Sequence, residues 1–580
     1  AIYTILDRYS LLFYAAMLYK DPVLYEEFLS NMGTLSTYSY AENLTPAMVL
    51  TLQDRSVGTV EKEVLPYTHY HKSPYGMLVA RTGFEFSNLY SNDVIANMKI
   101  QESFVGGHQN REAGSFQIYY KGMLTGDSGF YGNFGTDHDT SYQSQSVSKN
   151  TLTITSLANP KGYQTSAEDT KNPGNSGTVL GVEYGNNIYR PEYSYISGDV
   201  AKSYDRNVLE AVRSMLFLNL NLDGYTDTPG ALIVLDQIKT TETNSKKSFL
   251  LHTHAEPTIT NKKVITVENT ESGYNGRLTN QILYVGTADK ADTSYTVQTI
   301  GGEGKEFWVG DIATGDNHPN EREPVSTNEA GWGRVEISTT TTAKNQTDYM
   351  LNVMYVSKAN GTKAVIPATM VRGTGLMGAQ ILGHVAMFNM NGNNRISGTT
   401  SFQIPAAEGY SEFEVNVAGM KAGTWQVTAG NNSFEVVATQ EGGMLYFTAP
   451  AGTVTMTYIA EPVITAEGVE DTRGKFDTTA PEVPVLNKMY VNGILLDVET
   501  APYVDGNTVM VPLTSTMGTV NAVVDWRNST IAIKYMNENE LSINGKVKTV
   551  YLNGEKIKVI SGTIHYFRVV PEYWRDRLLK

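Results

Sequence analysis

The sequence has no cysteine, no excess of positive charge and no long apolar run. With no cysteine in 580 residues, a disulfide framework is excluded, and such a composition is typical of many exported bacterial proteins and of cytosolic ones. The formal net charge of -15 argues against a nucleic-acid partner, which needs a basic field. The most apolar helical segment, residues 11–18, is too short for a membrane span. Because Ala1 begins in the middle of a helical pattern, the first residues given are not expected to be a signal peptide.

What is abundant points to β structure. The chain contains 52 glycines and 36 tyrosines, while only 18% of its residues are charged. This composition favours a turn-rich β protein with aromatic surfaces. Most tyrosines in such proteins are half-buried packing, and a minority on an open face would suit sugar rings. The length predicts three or four structural units.

The periodicity of apolar residues divides the chain. Residues 1–92 read mainly as helix, because apolar residues recur at three-to-four spacing and Asp21-Pro22 restarts a second helix. Residues 93–465 change to short alternating runs between glycine-rich turns, which predict a large antiparallel β-sandwich. Residues 466–484 are polar and proline-bearing, as in a linker. Residues 485–580 again alternate and predict a small β-rich domain.

Three segments near residue 100 carry most of the chemistry. The first runs from Gly106 to Gly122 and places His108 on a glycine-rich turn before a strand. The second begins at Asp127, and the third ends at Asn150-Thr151. A histidine at a strand end, close to Tyr131, His138 and Tyr142 in sequence, is a plausible proton-transfer site.

These segments resemble the core of the heparinase II/III-like polysaccharide lyases. The resemblance covers about residues 1–465 and implies an α+β multidomain protein, in which residues 1–92 are the last helices of an α/α toroid and residues 93–465 the β domain. The other toroid helices would lie upstream or on a separate polypeptide. Residues 485–580 resemble the N-terminal domain of copper amine oxidases, usually an accessory module. Lacking a His/Cys cluster, this region is expected to hold no copper.

The resemblance also identifies positions that bind zinc in some relatives. They are Asn110, Asp127 and Lys149 here. Zinc takes three or four N, S or O donors at about 2.0 to 2.3 Å, and a charged ammonium cannot ligate it. We therefore predict no zinc, no other cofactor, and an ion pair between Lys149 and Asp127 that replaces the metal as a cross-tie.

The motif segments supply six candidate site residues. His108 would neutralise or orient a substrate carboxylate, with Tyr131 as a second catalytic candidate, while the main base and acid would lie on toroid helices upstream of Ala1. Tyr142 is expected to serve packing rather than chemistry. Glu112 is expected to hold its turn by accepting hydrogen bonds from backbone N–H groups. The weaker candidates for substrate binding are Tyr142, His138, Arg111 and Lys149.

The favoured function is β-elimination on an acidic, uronate-containing polysaccharide. Alginate is preferred because a metal-free β domain and no obvious sulfate-binding arginine cluster suit an unsulfated uronan. A glycoside hydrolase would need two paired carboxylic groups, and no recognisable motif supplies them. A non-catalytic glycan-binding or cell-wall-associated protein is the other alternative. A secreted or cell-surface bacterial location is expected in either case.

Overall fold

The computed structural model describes most of residues 65–462 and parts of both ends. The described residues are 12–35, 54, 56–58, 65–84, 91–102, 109–130, 133–165, 177–185, 187, 189–321, 331–340 and 343–462, together with short strands between 464 and 557. They divide into two compact units, one of residues 62–481 and one of residues 1–61 with 482–580. No described helix is long and apolar enough to cross a membrane.

The larger unit is built from strands. In chain order they are β1 (Thr68–His71), β2 (Met77–Arg81), β3 (Ile95–Lys99), β4 (Phe116–Tyr119), β5 (Met123–Thr125), β6 (Leu152–Ile154), β7 (Thr178–Tyr184), β8 (Tyr193–Asp199), β9 (Val208–Leu218), β10 (Ala231–Thr240), β11 (Lys247–Thr253), β12 (Thr258–Thr260), β13 (Val264–Asn269), β14 (Gly276–Gly286) and β15 (Thr296–Gly301). The series continues with β16 (Trp308–Val309), β17 (Asp316–Asn317), β18 (Gly333–Ser338), β19 (Thr347–Lys358), β20 (Ala368–Gly373), β21 (Leu376–Ile381), β22 (His384–Asn389), β23 (Thr399–Ile404), β24 (Phe413–Ala418), β25 (Gly423–Ala429), β26 (Asn432–Ala438), β27 (Met444–Ala449), β28 (Gly452–Ala460), β29 (Ile464–Thr465) and β30 (Gly468–Val469).

These strands form four large sheets. The first has five strands in the order β1-β2-β3-β4-β5, and the second has eight in the order β12-β13-β14-β19-β10-β9-β8-β7. A four-stranded sheet follows the order β15-β18-β11-β6, and a nine-stranded sheet the order β26-β25-β28-β23-β20-β21-β22-β24-β27. Within these sheets, β22 and β24 are parallel. The large, mostly antiparallel β region predicted from the alternating runs is therefore confirmed.

The eight-stranded sheet is buried on both faces. Along β9, Met215 and Phe217 enter one apolar core, which the five-stranded and four-stranded sheets complete. Leu216 and Leu218, pointing the other way, enter a second core that is shared with the nine-stranded sheet. Because side chains alternate across a strand, a sheet with two covered faces needs continuous apolar runs. The nine-stranded sheet has a further core of its own around Trp425.

Two helices precede the sheets among the described residues. One spans residues 12–19 and the other spans Pro22–Leu35. Asp21 caps the second helix, since its Oδ1 accepts the backbone N–H groups of Val23 at 2.8 Å and Leu24 at 3.1 Å. A carboxylate cap followed by proline is a favoured helix start, and the predicted restart at Asp21-Pro22 is confirmed. Membership of these helices in a toroid stays a prediction.

The helical interpretation of residues 1–92 is wrong for part of that range. Thr68–His71 and Met77–Arg81 are strands, and they pair with each other and with β3 in the five-stranded sheet. Leu78 and Ala80 are buried, while the other three residues of that strand are only half-buried. That period of two marks a strand, but each run is too short to stand out beside the long helical pattern upstream.

The C-terminal part also consists of strands. They are β31 (Met489–Val491), β32 (Ile494–Leu496), β33 (Tyr503–Asp505), β34 (Thr508–Met510), β35 (Ala522–Arg527), β36 (Thr530–Tyr535), β37 (Glu540–Asn544), β38 (Thr549–Leu552) and β39 (Glu555–Ile557). The last five form one antiparallel sheet in sequence order. The β character predicted for residues 485–580 agrees with these strands, whereas the exact domain boundaries stay predictions.

A fully buried ion pair crosses the middle of the eight-stranded sheet. Arg213 on β9 lies directly opposite Asp236 on β10. The guanidinium donates from Nε to Oδ1 at 2.6 Å and from Nη2 to Oδ2 at 3.0 Å, and neither side chain is exposed. Two parallel charge-assisted bonds of this kind fix both position and orientation.

We predict that Asp236→Asn destabilises the protein strongly. The substitution keeps the shape of the side chain but leaves the Arg213 guanidinium buried without its counter-charge, a loss of about 3–5 kcal/mol in the free energy of unfolding. Urea unfolding followed by tryptophan fluorescence measures this change. Asp227→Asn is the matched control, because that carboxylate is 89% exposed and pairs with Lys358 at 3.4 Å in solvent, where ion pairs contribute little. Equal unfolding midpoints for the two variants would contradict the prediction.

Candidate active site

Four of the six predicted site residues can be placed. His108 and Tyr131 lie outside the described residues, so their roles stay predictions. The other four are Arg111, His138, Tyr142 and Lys149, and all belong to the segments that surround β4 and β5. Their positions show which parts of the three motif segments hold the structure together and which parts are left for chemistry.

The predicted cross-tie between Lys149 and Asp127 is present. The ammonium Nζ donates to Oδ2 of Asp127 at 3.0 Å. The Lys149 side chain is 1% exposed and that of Asp127 is 26% exposed, so the pair joins a buried cation to a carboxylate at the border of solvent. The other oxygen, Oδ1, is buried without a hydrogen-bond partner among the described residues. The expected ion pair is therefore confirmed, while its replacement of a metal stays a prediction.

Asn150, next in sequence, joins three strands. Its side-chain NH2 donates to the carbonyl of Phe116 and to Oγ1 of Thr125, both at 2.9 Å. Its side-chain oxygen accepts the backbone N–H of His252 at 2.6 Å. A buried amide with its hydrogen bonds satisfied fixes a unique arrangement. The asparagine of the third motif segment is therefore a structural bridge between β4, β5 and β11.

Side chains of Arg213 and Thr151 hold the turn before β4 by hydrogen bonds to its backbone. Nη1 of Arg213 donates to the carbonyl of Gly114 at 2.6 Å and to that of Asn150 at 3.1 Å. Oγ1 of Thr151 donates to the carbonyl of Ala113 at 2.5 Å. Gly114 has φ +75, a conformation that L side chains rarely adopt. These contacts explain why the motif has a small residue, a glycine and a threonine in these places.

Glu112 does not hold its turn through backbone N–H groups as expected. Its Oε1 pairs with Nζ of Lys99 at 2.5 Å. The backbone of the turn is held by Gln101 instead, whose side-chain amide donates to the carbonyl of Asn110 at 2.9 Å and accepts the N–H of Glu112 at 3.1 Å. The carboxylate is free for Lys99 because a neutral amide can both donate and accept, as a peptide turn requires.

Arg111 is half-buried at the start of this turn. Its backbone N–H donates to the carbonyl of Ser144 at 3.0 Å, which links the first motif segment to the short π-helix Asp139–Gln143. The turn that precedes β4 therefore lies beside the segment that contains His138 and Tyr142. The structure thus brings three of the predicted site residues into one neighbourhood.

Tyr142 is buried and serves the packing of this neighbourhood. It is 0% exposed, and its hydroxyl donates to Oγ of Ser128 at 2.9 Å. Burial raises the pKa of the phenol, so it stays neutral. Its ring packs against that of Phe307 with centroids 5.4 Å apart. In this conformation the side chain has no surface for a sugar.

His138 is buried in the same aromatic cluster and is only 1% exposed. Nδ1 lies 2.6 Å from the carbonyl of His318, which requires a proton on Nδ1 and leaves a lone pair on Nε2. That Nε2 is buried with no hydrogen-bond partner among the described residues. Burial lowers the pKa of this imidazole. A neutral histidine with one free lone pair can accept a proton, although in this conformation it is closed to solvent.

His252 on β11 is a second neutral histidine near the cross-tie. Burial, with the cations Arg334 and Lys149 nearby, holds its pKa well below the usual range. Nε2 lies 2.9 Å from the carbonyl of Val147, so Nε2 carries the proton. The described residues contain no group of three or more His, Cys, Asp or Glu side chains that could hold a metal ion. The prediction that zinc is absent stays open.

The sequence analysis missed the residues that support the site. Arg213, Asp236 and Gln164 were not singled out there. The signal was available for the first two, because each is the one charged residue in an apolar stretch of its strand, and opposite charges in paired buried strands tend to meet. Gln164 gave no such signal, since it lies in a loop and bonds both the N–H and the carbonyl of Ala113, at 3.0 and 2.8 Å.

Two family models match the chain. The heparinase II C-terminal domain matches residues 370–458, which lie in the nine-stranded sheet, and the copper amine oxidase N-terminal domain matches residues 490–565. The first match does not include the motif segments. Their assignment therefore rests on the resemblance of the motifs and on the geometry described above.

Solved structures and curated proteins give partial matches. A crystal structure of heparinase III is 12% identical, covering 55% of this chain and 42% of that one, with a TM-score of 0.34. A second heparinase III is 10% identical, covering 65% and 46%, with a TM-score of 0.36. Among curated proteins, beta-galactosidase 8 of Oryza sativa subsp. japonica is 50% identical over 32 residues, 6% of this chain and 5% of that protein. The Homo sapiens beta-galactosidase-1-like protein 3 is 66% identical over 29 residues, 5% of this chain and 4% of that protein.

The chain thus spans less than half of the heparinase III structures and about one twentieth of these curated relatives. The match at residues 370–458 confirms the resemblance to heparinase II/III-like proteins. The match at residues 490–565 confirms the resemblance to the copper amine oxidase N-terminal domain.

Proposed function

We propose that this chain is a polysaccharide lyase, or part of one, that cleaves an acidic, uronate-containing polysaccharide by β-elimination. The observation that carries the proposal is the buried pair of Lys149 and Asp127. It stands at two positions that the resemblance assigns to zinc ligands in relatives, and it ties the same motif segments together. A chain that keeps the cross-tie by another chemical means keeps the architecture of the site.

The reaction needs three groups and no water. A positive or hydrogen-bonding group neutralises the carboxylate at C6 of the uronate, which makes the proton at C5 removable. A base takes that proton, the C4–O4 bond breaks, and an acid protonates the departing O4, leaving a double bond between C4 and C5. Stabilising the enediolate is the demanding step, as at an oxyanion hole. A histidine and a tyrosine can serve as acid and base.

In this proposal His108 neutralises or orients the carboxylate, and Tyr131 contacts the sugar. The turn that follows His108 is rigid, because Gln101, Arg213 and Thr151 all bond its backbone. Pre-organisation of this kind is what electrostatic stabilisation requires. Toroid helices, in the same protein or on a separate polypeptide, supply the main base and acid.

Two substrate classes compete within this proposal. Alginate is our first choice, because an unsulfated uronan needs no cluster of sulfate-binding arginines. Heparan sulfate is the alternative, favoured by the name of the domain that matches residues 370–458. We further propose a secreted or cell-surface bacterial location, where either polymer would be met.

The test is the ultraviolet absorbance of the unsaturated uronate that only elimination produces. The full-length protein, with any polypeptide that co-purifies, is incubated with alginate, heparan sulfate and hyaluronan. Absorbance that rises with alginate supports the proposal, and a rise with heparan sulfate alone corrects the substrate. Reducing ends released without absorbance would identify a hydrolase, and binding without cleavage a glycan-binding protein.

The ionic cross-tie generates a prediction about zinc. The purified protein should hold no stoichiometric zinc, because Lys149 occupies a ligand position as a charged ammonium. The double substitution Asn110→His with Lys149→His should create zinc affinity, since it supplies imidazoles at the two positions that the resemblance groups with Asp127 as zinc ligands. Plasma mass spectrometry after dialysis measures both proteins. Lys149→Met is the control, as it removes the ammonium without adding a ligand. One bound zinc in the unaltered protein would refute the prediction.

The proposed role of His108 predicts a separation of activity from stability. His108→Ala should lower kcat by roughly a hundredfold or more, the effect of losing one donor at a developing oxyanion, while the melting temperature barely changes. His138→Ala should instead lower the melting temperature, because that ring is buried among aromatic side chains. If His108→Ala keeps its activity and melts several degrees lower, His108 is structural.

A further inference from the structure

A polar cleft lies on the four-stranded sheet. Its volume is about 310 Å³, and its walls come from β6, β11 and β18, from residues 160–163 and from the hairpin of β16 and β17. Among the described residues that line it, the predicted site residues Arg111, His138, Tyr142 and Lys149 are absent. The cleft adjoins the candidate active site, because its lining residue His318 bonds Nδ1 of His138 through its carbonyl, but it is lined by other side chains.

The base of this cleft is rigid. Arg334 is 2% exposed in its side chain, and its Nε donates to Oε1 of Glu336 at 2.9 Å. Its Nη1 donates to the carbonyl of Trp308 at 2.6 Å. Glu336, with 12% of its side chain exposed, keeps Oε2 toward Lys246, whose Nζ lies 3.6 Å away. Polar groups held in this way need no reorganisation to meet a ligand.

The charges around the cleft balance. The cationic lining residues are Lys161, Lys246 and Arg334, and the anionic ones are Asp311, Asp316 and Glu336. A cleft dominated by one sign would concentrate ions of the other sign, whereas equal numbers give no such preference. Carboxylates accept hydrogen bonds and ammonium groups donate them. A ligand that both donates and accepts at many points, without charge, satisfies both sets.

Size and surface narrow the ligand further. Pockets for small molecules begin at about 300 Å³, so this cleft suits one ring rather than a long chain. Tyr163 adds an aromatic ring to the wall, and burial raises the pKa of its hydroxyl to about 12, which keeps it neutral. An aromatic face beside fixed polar groups suits a pyranose, whose C–H face packs on the ring while its hydroxyls meet the charges.

From the size of the cleft, its balanced charges and its rigid Arg334–Glu336 base, we propose that it binds a single neutral sugar residue. This function goes beyond the proposed lyase, whose substrate is an anionic uronate. The cleft would hold an uncharged unit of a mixed polysaccharide or a neutral glycan of a surface to which the protein attaches.

Ligand-observed NMR and calorimetry test this directly. The full-length protein is titrated with methyl glycosides of galactose, glucose and mannose, and with sodium glucuronate as the anionic comparator. At least one neutral glycoside should saturate. Lys246→Gln should weaken its binding about tenfold, the effect of losing one hydrogen bond from a charged donor. Lys290→Gln is the control, because Lys290 is exposed and does not line the cleft.

A second variant guards against misfolding. Asp311→Asn changes a side chain that is 81% exposed, so the fold should be kept while a hydrogen-bond acceptor is weakened. The proposal is overturned if no neutral glycoside saturates, if glucuronate binds more tightly than every neutral one, or if Lys246→Gln and Asp311→Asn both bind as the unaltered protein does. Because binding is read without any cleavage assay, failure here and failure of the lyase proposal are seen separately.

Discussion

The buried guanidinium of Arg213 is the constraint on which the candidate site depends. An arginine cannot lose its charge inside a protein, so every partner of this group must stay in place. Asp236 supplies the counter-charge from the neighbouring strand, and the carbonyls of Gly114 and Asn150 take the remaining N–H groups on one side. The eight-stranded sheet is thereby joined to the first and third motif segments. A shift of either segment would leave part of a cation unpaired in the core, which is costly.

The motif segments can now be divided by physical role. Gly114, Asn150 and Thr151 bind strands to one another, and Lys149 with Asp127 closes the second segment on the third. The resemblance implies that some relatives bind zinc at these positions, where coordination bonds would give the same closure. An ion pair achieves it only where the cation is shielded, and Lys149, at 1% exposure, satisfies that condition. The part of the motif left for chemistry is then small and centres on the turn that carries His108.

Local patterns in the sequence predicted the local features well. Asp21-Pro22 marked a helix start, the alternating runs of residues 93–465 predicted strands, and charges at two family positions predicted the Lys149–Asp127 pair. The short strands Thr68–His71 and Met77–Arg81 were not predicted, because four or five residues are too few to show a periodic pattern. Features that depend on distant partners also escaped. The polar cleft on the four-stranded sheet is formed in part by β6 and β18. These strands are far apart in sequence, and no spacing rule connects them.

The buried histidine His252 makes the stability of the fold depend on pH. The backbone N–H of His252 donates to the side-chain oxygen of Asn150. Burial and two nearby cations keep the imidazole ring neutral. The unfolded chain takes up a proton near pH 6.5, whereas the folded chain does so only at a lower pH. Between these two values the unfolded state binds more protons, so the free energy of unfolding falls as the pH falls. Acid would therefore destabilise the fold through a histidine that lies at the junction of β4, β5 and β11.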